Sequence, residues 1–207
     1  MSNILARREN LLEEAEQIYR EQFKISIRNL EEKYKSKEYQ KSVTDAVAKA
    51  SYAWNETQDR QAASLGICIL HSSILRQTYE YKIVVMGEEF WLDENAVELM
   101  WIPKGFPEIF EQDMSALIKK LSSIFPRLCK EEETAVRFRC AEYFHGAVCK
   151  LCKDFLADIL ESEGFLQLKK TEDFFLFFGD YRGEGELLYS RKADETTGRE
   201  DIWNISH

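Results

Sequence analysis

The sequence predicts an α+β fold, and two observations carry that prediction. The chain has no glycine before Gly66 and no proline before Pro103, and its first quarter is rich in residues that favour helices. Segments 79–86 and 174–178 are instead dominated by β-branched and aromatic residues, which is typical of strands. We therefore expect an N-terminal helical arm or hairpin, followed by helices packed on an antiparallel sheet of about five strands.

Residues 1–54 are predicted to form the helical arm, with a bend near 35–38. Apolar residues recur along one stripe while charged residues fill the positions between them, as in an amphipathic helix or a coiled coil. A helix of this length needs a partner for its stripe, from its own chain or from another. We expect that partner to be another protein or a second copy, bound through Leu11, Ile18, Ile25 and Tyr34.

Residues 55–191 are predicted to form the α+β core. Segment 62–75 is apolar almost all the way round a helix, so we expect a buried helix there, with Asn55 near its cap. The next segment predicts a hairpin with a two-residue turn at Gly87-Glu88. In that register Lys82 lies opposite Asp93, and Val84 lies opposite Trp91.

The second half of the core is predicted to contain two long helices and three strands. Pro107 suits the first turn of one helix. The other is expected to run from residue 131 to Gly164, a suitable glycine for its C-terminal end. The predicted strands are 165–168, 174–178 and 186–190. Residues 192–207 form a polar tail, in which Trp203 is a candidate anchor at an interface.

Charge and composition narrow the classes of function. A formal net charge of -9 and a pI near 5.1 argue against a nucleic-acid partner and do not suit an anionic membrane surface. The N-terminus lacks a signal-peptide pattern, and no apolar run is long enough to span a bilayer. Five cysteines, an odd number, favour reduced thiols and a cytoplasmic location. We expect no cofactor.

Two clusters contain residue types that catalyse reactions or bind metals. His145, Cys149 and Cys152 are weak candidates for a metal site, since His145 and Cys152 are about 10 Å apart along a helix. Buried structural cysteines are the favoured interpretation, because a redox pair needs its first thiol at a helix N-terminus. His71 adjoins Ser72, but neighbouring side chains on a helix face different directions. The favoured interpretation of His71 is therefore a histidine in the core of the buried helix, with its hydrogen bond satisfied.

Three further groups favour ordinary structural roles. Glu80 and Lys82 resemble half of a nuclease site but lack the required acid on a preceding strand. The acidic residues Asp180, Glu184 and Glu186 lack calcium-loop spacing and suit a solvated hairpin end. The basic stretch 33–41 is diluted by glutamates, which indicates a solvated helix face.

With no catalytic set assembled in the sequence, we expect a non-enzymatic cytoplasmic protein-interaction module. Such a chain serves as a complex subunit, adaptor, regulator or inhibitor of another protein. One alternative is an enzyme whose site converges from distant segments around His71 or His145. A second alternative is a nucleic-acid-associated accessory protein.

Overall fold

A computed structural model of the chain describes residues 2–34 and 37–192, with side chains described for 6–34 and 41–192. The helices are α1 (Ser2–Tyr34), α2 (Lys37–Thr57), α3 (His71–Arg76), α4 (Phe106–Ile124), α5 (Lys130–Asp154), α6 (Leu156–Leu160) and α7 (Glu163–Gln167). The strands are β1 (Ala62–Ile69), β2 (Tyr81–Met86), β3 (Val97–Trp101), β4 (Lys170–Asp180) and β5 (Gly185–Ser190).

The five strands form one sheet in the order β3-β2-β1-β4-β5. The α+β class and the five-strand sheet are confirmed. The sheet is mixed, because β1 runs parallel to β4 while the other neighbouring pairs are antiparallel. Parallel neighbours need a long crossover connection, and here that connection is the whole stretch 70–169.

The predicted buried helix over 62–75 is wrong. Its first part is β1, the central strand of the sheet, and only its second part, α3, is helical. Seven of the eight β1 residues are buried, because helices cover one face and aromatic side chains cover the other. Burial on both faces removes the alternation that identifies a half-buried strand. Gly66 is the clearest sign of this packing, since a Cβ there would lie 2.4 Å from the Phe177 ring.

The predicted tight hairpin at Gly87 is also wrong, because a longer connection that includes a short 3-10 helix joins β2 to β3. The Asp93 carboxylate organises it by accepting hydrogen bonds from the backbone N–H groups of Gly87 (2.7 Å) and Asn95 (2.9 Å). Arg60 forms an ion pair with the same carboxylate. The observed register pairs Lys82 with Met100 and Val84 with Glu98.

The long predicted helix ends at Asp154, well before Gly164, and two short helices follow it. Gly164 lies within α7, where a Cβ would be 2.6 Å from the Ala48 carbonyl oxygen. This glycine therefore permits close packing of α7 on α2 and does not end a helix. The predicted strand 165–168 is also wrong, since most of it belongs to α7. The strands at 174–178 and 186–190 are confirmed within β4 and β5.

The N-terminal helices are confirmed, but they pack on the rest of the chain as part of one core. α1 lies along α4 and α5, and α2 lies against β2, β3 and α7. Of the bend predicted near 35–38, residues 37 and 38 belong to α2, and residues 35 and 36 lie outside the described residues. Asn55 lies in the last turn of α2 and binds the backbone of Gln167 and Lys169, so it does not cap a following helix. None of the described helices combines the length and apolar character needed to cross a membrane.

Candidate functional site

Four polar side chains converge where the parallel strands β1 and β4 end. Asp180 is the last residue of β4, and His71 begins the short helix after β1. The His71 Nε2 atom lies 3.0 Å from Asp180 Oδ1. The His71 ring stands perpendicular to the His145 ring of α5, with centroids 6.0 Å apart. His145 Nδ1 in turn lies 2.6 Å from the Tyr81 hydroxyl.

His145 is the buried centre of this group, with 5% of its surface exposed. Burial, with a smaller contribution from His71, lowers the pKa of His145 to about 3, so the ring is neutral near pH 7. Burial also raises the pKa of the Tyr81 hydroxyl. This hydroxyl therefore keeps its proton and donates a hydrogen bond to His145 Nδ1. The Nε2 atom of His145 is buried and has no hydrogen-bond partner among the described residues.

The other half of the group is open to solvent. The His71 and Asp180 side chains are each about half exposed, so the predicted placement of His71 in a helix core is wrong. A carboxylate beside one ring nitrogen orients an imidazole and fixes its tautomer, as in sites that use histidine as a general base. The group therefore has an oriented surface histidine backed by a buried neutral one. Neither of the two grooves described below includes His71 or His145.

The cysteines beside His145 lie in the core of the protein. Cys149 and Cys152 are both buried free thiols, and Cys149 Sγ donates a hydrogen bond to Glu186 at 3.4 Å. Burial raises the pKa of Cys149 to about 12 and raises that of Cys152 as well, whereas a redox thiol needs a lowered pKa. Within 2–34 and 37–192, no three His, Cys, Asp or Glu residues are grouped so as to hold a metal ion. The structure thus gives no support to a site at His145, Cys149 and Cys152.

The acidic and basic candidates have ordinary partners. Lys82 forms an ion pair with Glu98 at 2.6 Å, so its predicted pairing with Asp93 is wrong. Glu186 pairs with Lys153 at 2.6 Å. Residues 35–40 of the basic stretch have no described side chains.

A second feature, an apolar groove, lies on the outer surface between α1 and α5. We call it the α1–α5 groove; it is open to solvent and has a volume of about 530 Å³. Its floor is apolar, and charged side chains stand at its rim. The lining residues are Phe23, Ile27, Glu31, Glu142, Tyr143, Gly146, Ala147 and Lys150. A second and more polar groove lies between α1 and α4 and includes Ser26, Asn29 and Gln112.

The predicted partner-binding residues fall in three different environments. Leu11 and Tyr34 are buried in the core, and the Tyr34 hydroxyl donates a hydrogen bond to the Lys104 carbonyl at 3.0 Å. Ile18 is partly buried against the core, whereas Ile25 is 64% exposed. Trp203 lies outside the described residues. The seam predicted on α1 is thus largely occupied by the chain's own α4 and α5.

Sequence reasoning missed the residues that form the α1–α5 groove. Gly146 lies in the middle of α5, which passes through it without interruption. Among the described residues, a Cβ at Gly146 would meet no atom within 4 Å apart from its chain neighbours and its own helix backbone, so this glycine opens the surface and does not relieve a close contact. The only signal in the sequence was a small pair, Gly146-Ala147, within a long helix of larger residues.

The chain matches no protein-family model, no curated protein and no solved structure.

Proposed function

We propose that this protein is a non-enzymatic protein-interaction module, a subunit, adaptor or regulator that acts through the outer face of its α1–α5 layer. The observation that supports this proposal is the α1–α5 groove. Phe23, Ile27 and Tyr143 remain only partly buried at its floor. A partner that covers these side chains would remove their remaining apolar surface from water, which favours association.

The proposal moves the interaction surface from the seam first predicted to the neighbouring edge of the same helix, where α1 meets α5. Leu11, Tyr19 and Leu30 of α1 are in contact with the core and cannot also bind a partner. Phe23 and Ile27 lie one turn apart on α1, pack partly against the core, and line the groove with the part of their surface that remains exposed. The N-terminal helices thus keep their proposed role, but the surface that carries it includes α5.

Removing the whole N-terminal region is not a clean test of this proposal. Deletion of residues 1–54 would remove Leu11, Tyr19 and Trp54, which are fully buried in the core. Loss of binding by such a truncated chain would therefore report unfolding. A substitution that fills the groove while leaving the core intact is a sharper test.

Gly146→Leu provides that substitution. The new side chain would enter open space above the groove, and replacing a mid-helix glycine favours the helix. Ala116→Leu is the matched control, because Ala116 is an exposed position within α4, away from the groove. Each variant is tagged, purified from the native host, and compared with the unsubstituted protein.

We expect the unsubstituted chain and Ala116→Leu to carry the same stoichiometric protein, either a second copy or another chain. Gly146→Leu should lose it while its thermal midpoint is unchanged or higher. If the unsubstituted chain is found alone, or if Gly146→Leu retains its partner, the proposal is wrong.

A second candidate function is an enzyme that uses His71 as a general acid–base. It is favoured by the convergence of four side chains, those of His71, Asp180, His145 and Tyr81. The supporting observation is the unpartnered, buried Nε2 atom of His145 beside the solvent-exposed His71. A panel of chromogenic ester and phosphoester substrates provides the test. This candidate requires an activity that His71→Gln abolishes without changing the thermal midpoint, and an inactive unsubstituted protein counts against hydrolysis.

A further inference from the structure

The outer face of α5 has a charge pattern arranged about Gly146. Glu142 lies four residues before Gly146 and Lys150 lies four residues after it, and all three positions are exposed. Residues four apart on a helix share one face. Each charge is therefore about 6 Å from Gly146 along the helix axis, in opposite directions.

This pattern is complementary to itself when two copies of α5 run antiparallel. A two-fold axis at Gly146 places Glu142 of each copy beside Lys150 of the other, which gives two equivalent ion pairs. A parallel arrangement would place like charges together. A closed two-fold contact of this kind is the commonest geometry of protein oligomers.

The absent side chain at Gly146 gives the two helices room to meet. No other part of the chain in 2–34 and 37–192 lies within 4 Å of a Cβ at that position, so the partner helix can approach the backbone closely. Helices that pack nearly antiparallel lie about 20° from a common axis. A partner helix centred at Gly146 would therefore lie along the α1–α5 groove and cover its apolar floor at Phe23, Ile27 and Ala147.

We infer that the α1–α5 groove is a homodimer interface, in which α5 packs antiparallel against α5 of a second copy about a two-fold axis at Gly146. This inference rests on the proposed function, since it names the partner that covers the same surface. A second copy is favoured over an unrelated chain because the charges at positions 142 and 150 complement each other within one sequence.

The ion pairs already present on this face are compatible with the dimer. Lys150 pairs with Glu31 of its own chain, but an ammonium group has three donors and can also bind Glu142 of the second copy. Arg139 and Lys153 lie seven residues on either side of Gly146 and carry like charges. Each is paired within its own chain, Arg139 with Glu16 and Lys153 with Glu186.

The test is sedimentation equilibrium of the full-length protein from about 5 to 500 μM at 0.15 M salt, where charges more than about 8 Å apart are screened. We expect a monomer–dimer equilibrium for the unsubstituted chain and the same equilibrium for Ala116→Leu. Gly146→Leu should weaken dimerisation at least tenfold, because the new side chain separates the helices. Circular dichroism and thermal melting verify that each variant is folded.

Charge substitutions test the antiparallel arrangement directly. Glu142→Lys alone and Lys150→Glu alone should each weaken dimerisation about tenfold, because each converts two attractive pairs into two repulsive ones. An equimolar mixture of the two variants should dimerise as well as the unsubstituted chain. In the mixed dimer, position 142 of each chain carries a charge opposite to that at position 150 of the other, so both contacts are attractive again.

Three outcomes would overturn the inference: a monomer at 500 μM, a dimer unaffected by Gly146→Leu, or failure of the mixed charge variants to associate. The first outcome can be separated from failure of the proposed function. A monomeric chain that loses a different stoichiometric protein on Gly146→Leu refutes the homodimer while supporting an interaction module.

Discussion

Burial of neutral His145 predicts that this protein loses stability in mild acid. In the unfolded chain a histidine has a pKa of about 6.5, whereas burial lowers the pKa of His145 in the folded protein to about 3. Below about pH 6.5 the unfolded state therefore binds a proton that the folded state does not. The loss of stability caused by His145 is therefore absent above pH 6.5 and grows as the pH falls towards 3.

The expected size follows from these two pKa values. Stability falls by about 1.4 kcal/mol for each pH unit between them. At pH 5 the loss attributable to His145 is therefore about 2 kcal/mol, a substantial part of the 5–15 kcal/mol that is typical of folded domains. Other groups also titrate in this range, so the quantity to measure is a difference between variants.

The free energy of unfolding should be measured by urea denaturation at several pH values between 8 and 5, for the unsubstituted protein and for His145→Gln. Glutamine can still accept the Tyr81 hydrogen bond but does not titrate. We expect His145→Gln to lose about 2 kcal/mol less than the unsubstituted protein over this range, whatever its stability at pH 8.

Tyr81→Phe is the control that identifies the cause. It removes the hydrogen bond to Nδ1 (2.6 Å) but leaves the ring buried, and burial is the main reason for the lowered pKa. Its pH dependence should follow that of the unsubstituted protein. Parallel curves for His145→Gln and the unsubstituted protein would refute the reasoning.

Three other substitutions test the packing by thermal or urea unfolding. In protein dilute enough to be monomeric, Gly146→Ala should stabilise the fold by up to about 1 kcal/mol because its Cβ enters open space within a helix, and a loss of stability there would contradict this. Gly164→Ala should instead destabilise it by about 1–3 kcal/mol, since the Ala48 backbone cannot move away easily; a neutral result would show that α7 shifts freely. Asp93→Asn should lower the free energy of unfolding by about 2 kcal/mol, because the fully buried carboxylate loses its charge beside Arg60. Asp93→Ala must lower it by no less if the hydrogen bonds of Asp93 organise the connection between β2 and β3.

The sequence alone determined the elements whose signals are local. Helices α1 and α2 follow from the absence of glycine and proline together with apolar stripes. Strands β4 and β5 follow from the aromatic run at 174–178 and the glycines after it. These predictions succeeded because propensity and periodicity depend only on neighbouring residues.

The errors occurred where distant segments decide the local structure. Segment 62–69 is a strand because it pairs with β2 on one side and β4 on the other, and its burial on both faces hides the strand pattern. A tight turn at Gly87 is replaced by a longer connection because Asp93 pairs with Arg60, a residue that precedes β1. Gly164 was expected to end a helix, but it lies inside α7. A glycine is needed there because the Ala48 backbone passes close to it.

Of the candidate functional features, the sequence determined the residue types and only the tertiary structure decided how they are combined. His71 and His145 could be named in advance, but their contact with Asp180 and Tyr81 depends on the parallel pairing of β1 and β4. The amphipathic character of α1 was evident in the sequence, whereas the side of α1 that is left open was decided by where α4 and α5 pack. Long-range packing makes that choice, because an apolar stripe specifies that a surface is covered but does not specify what covers it.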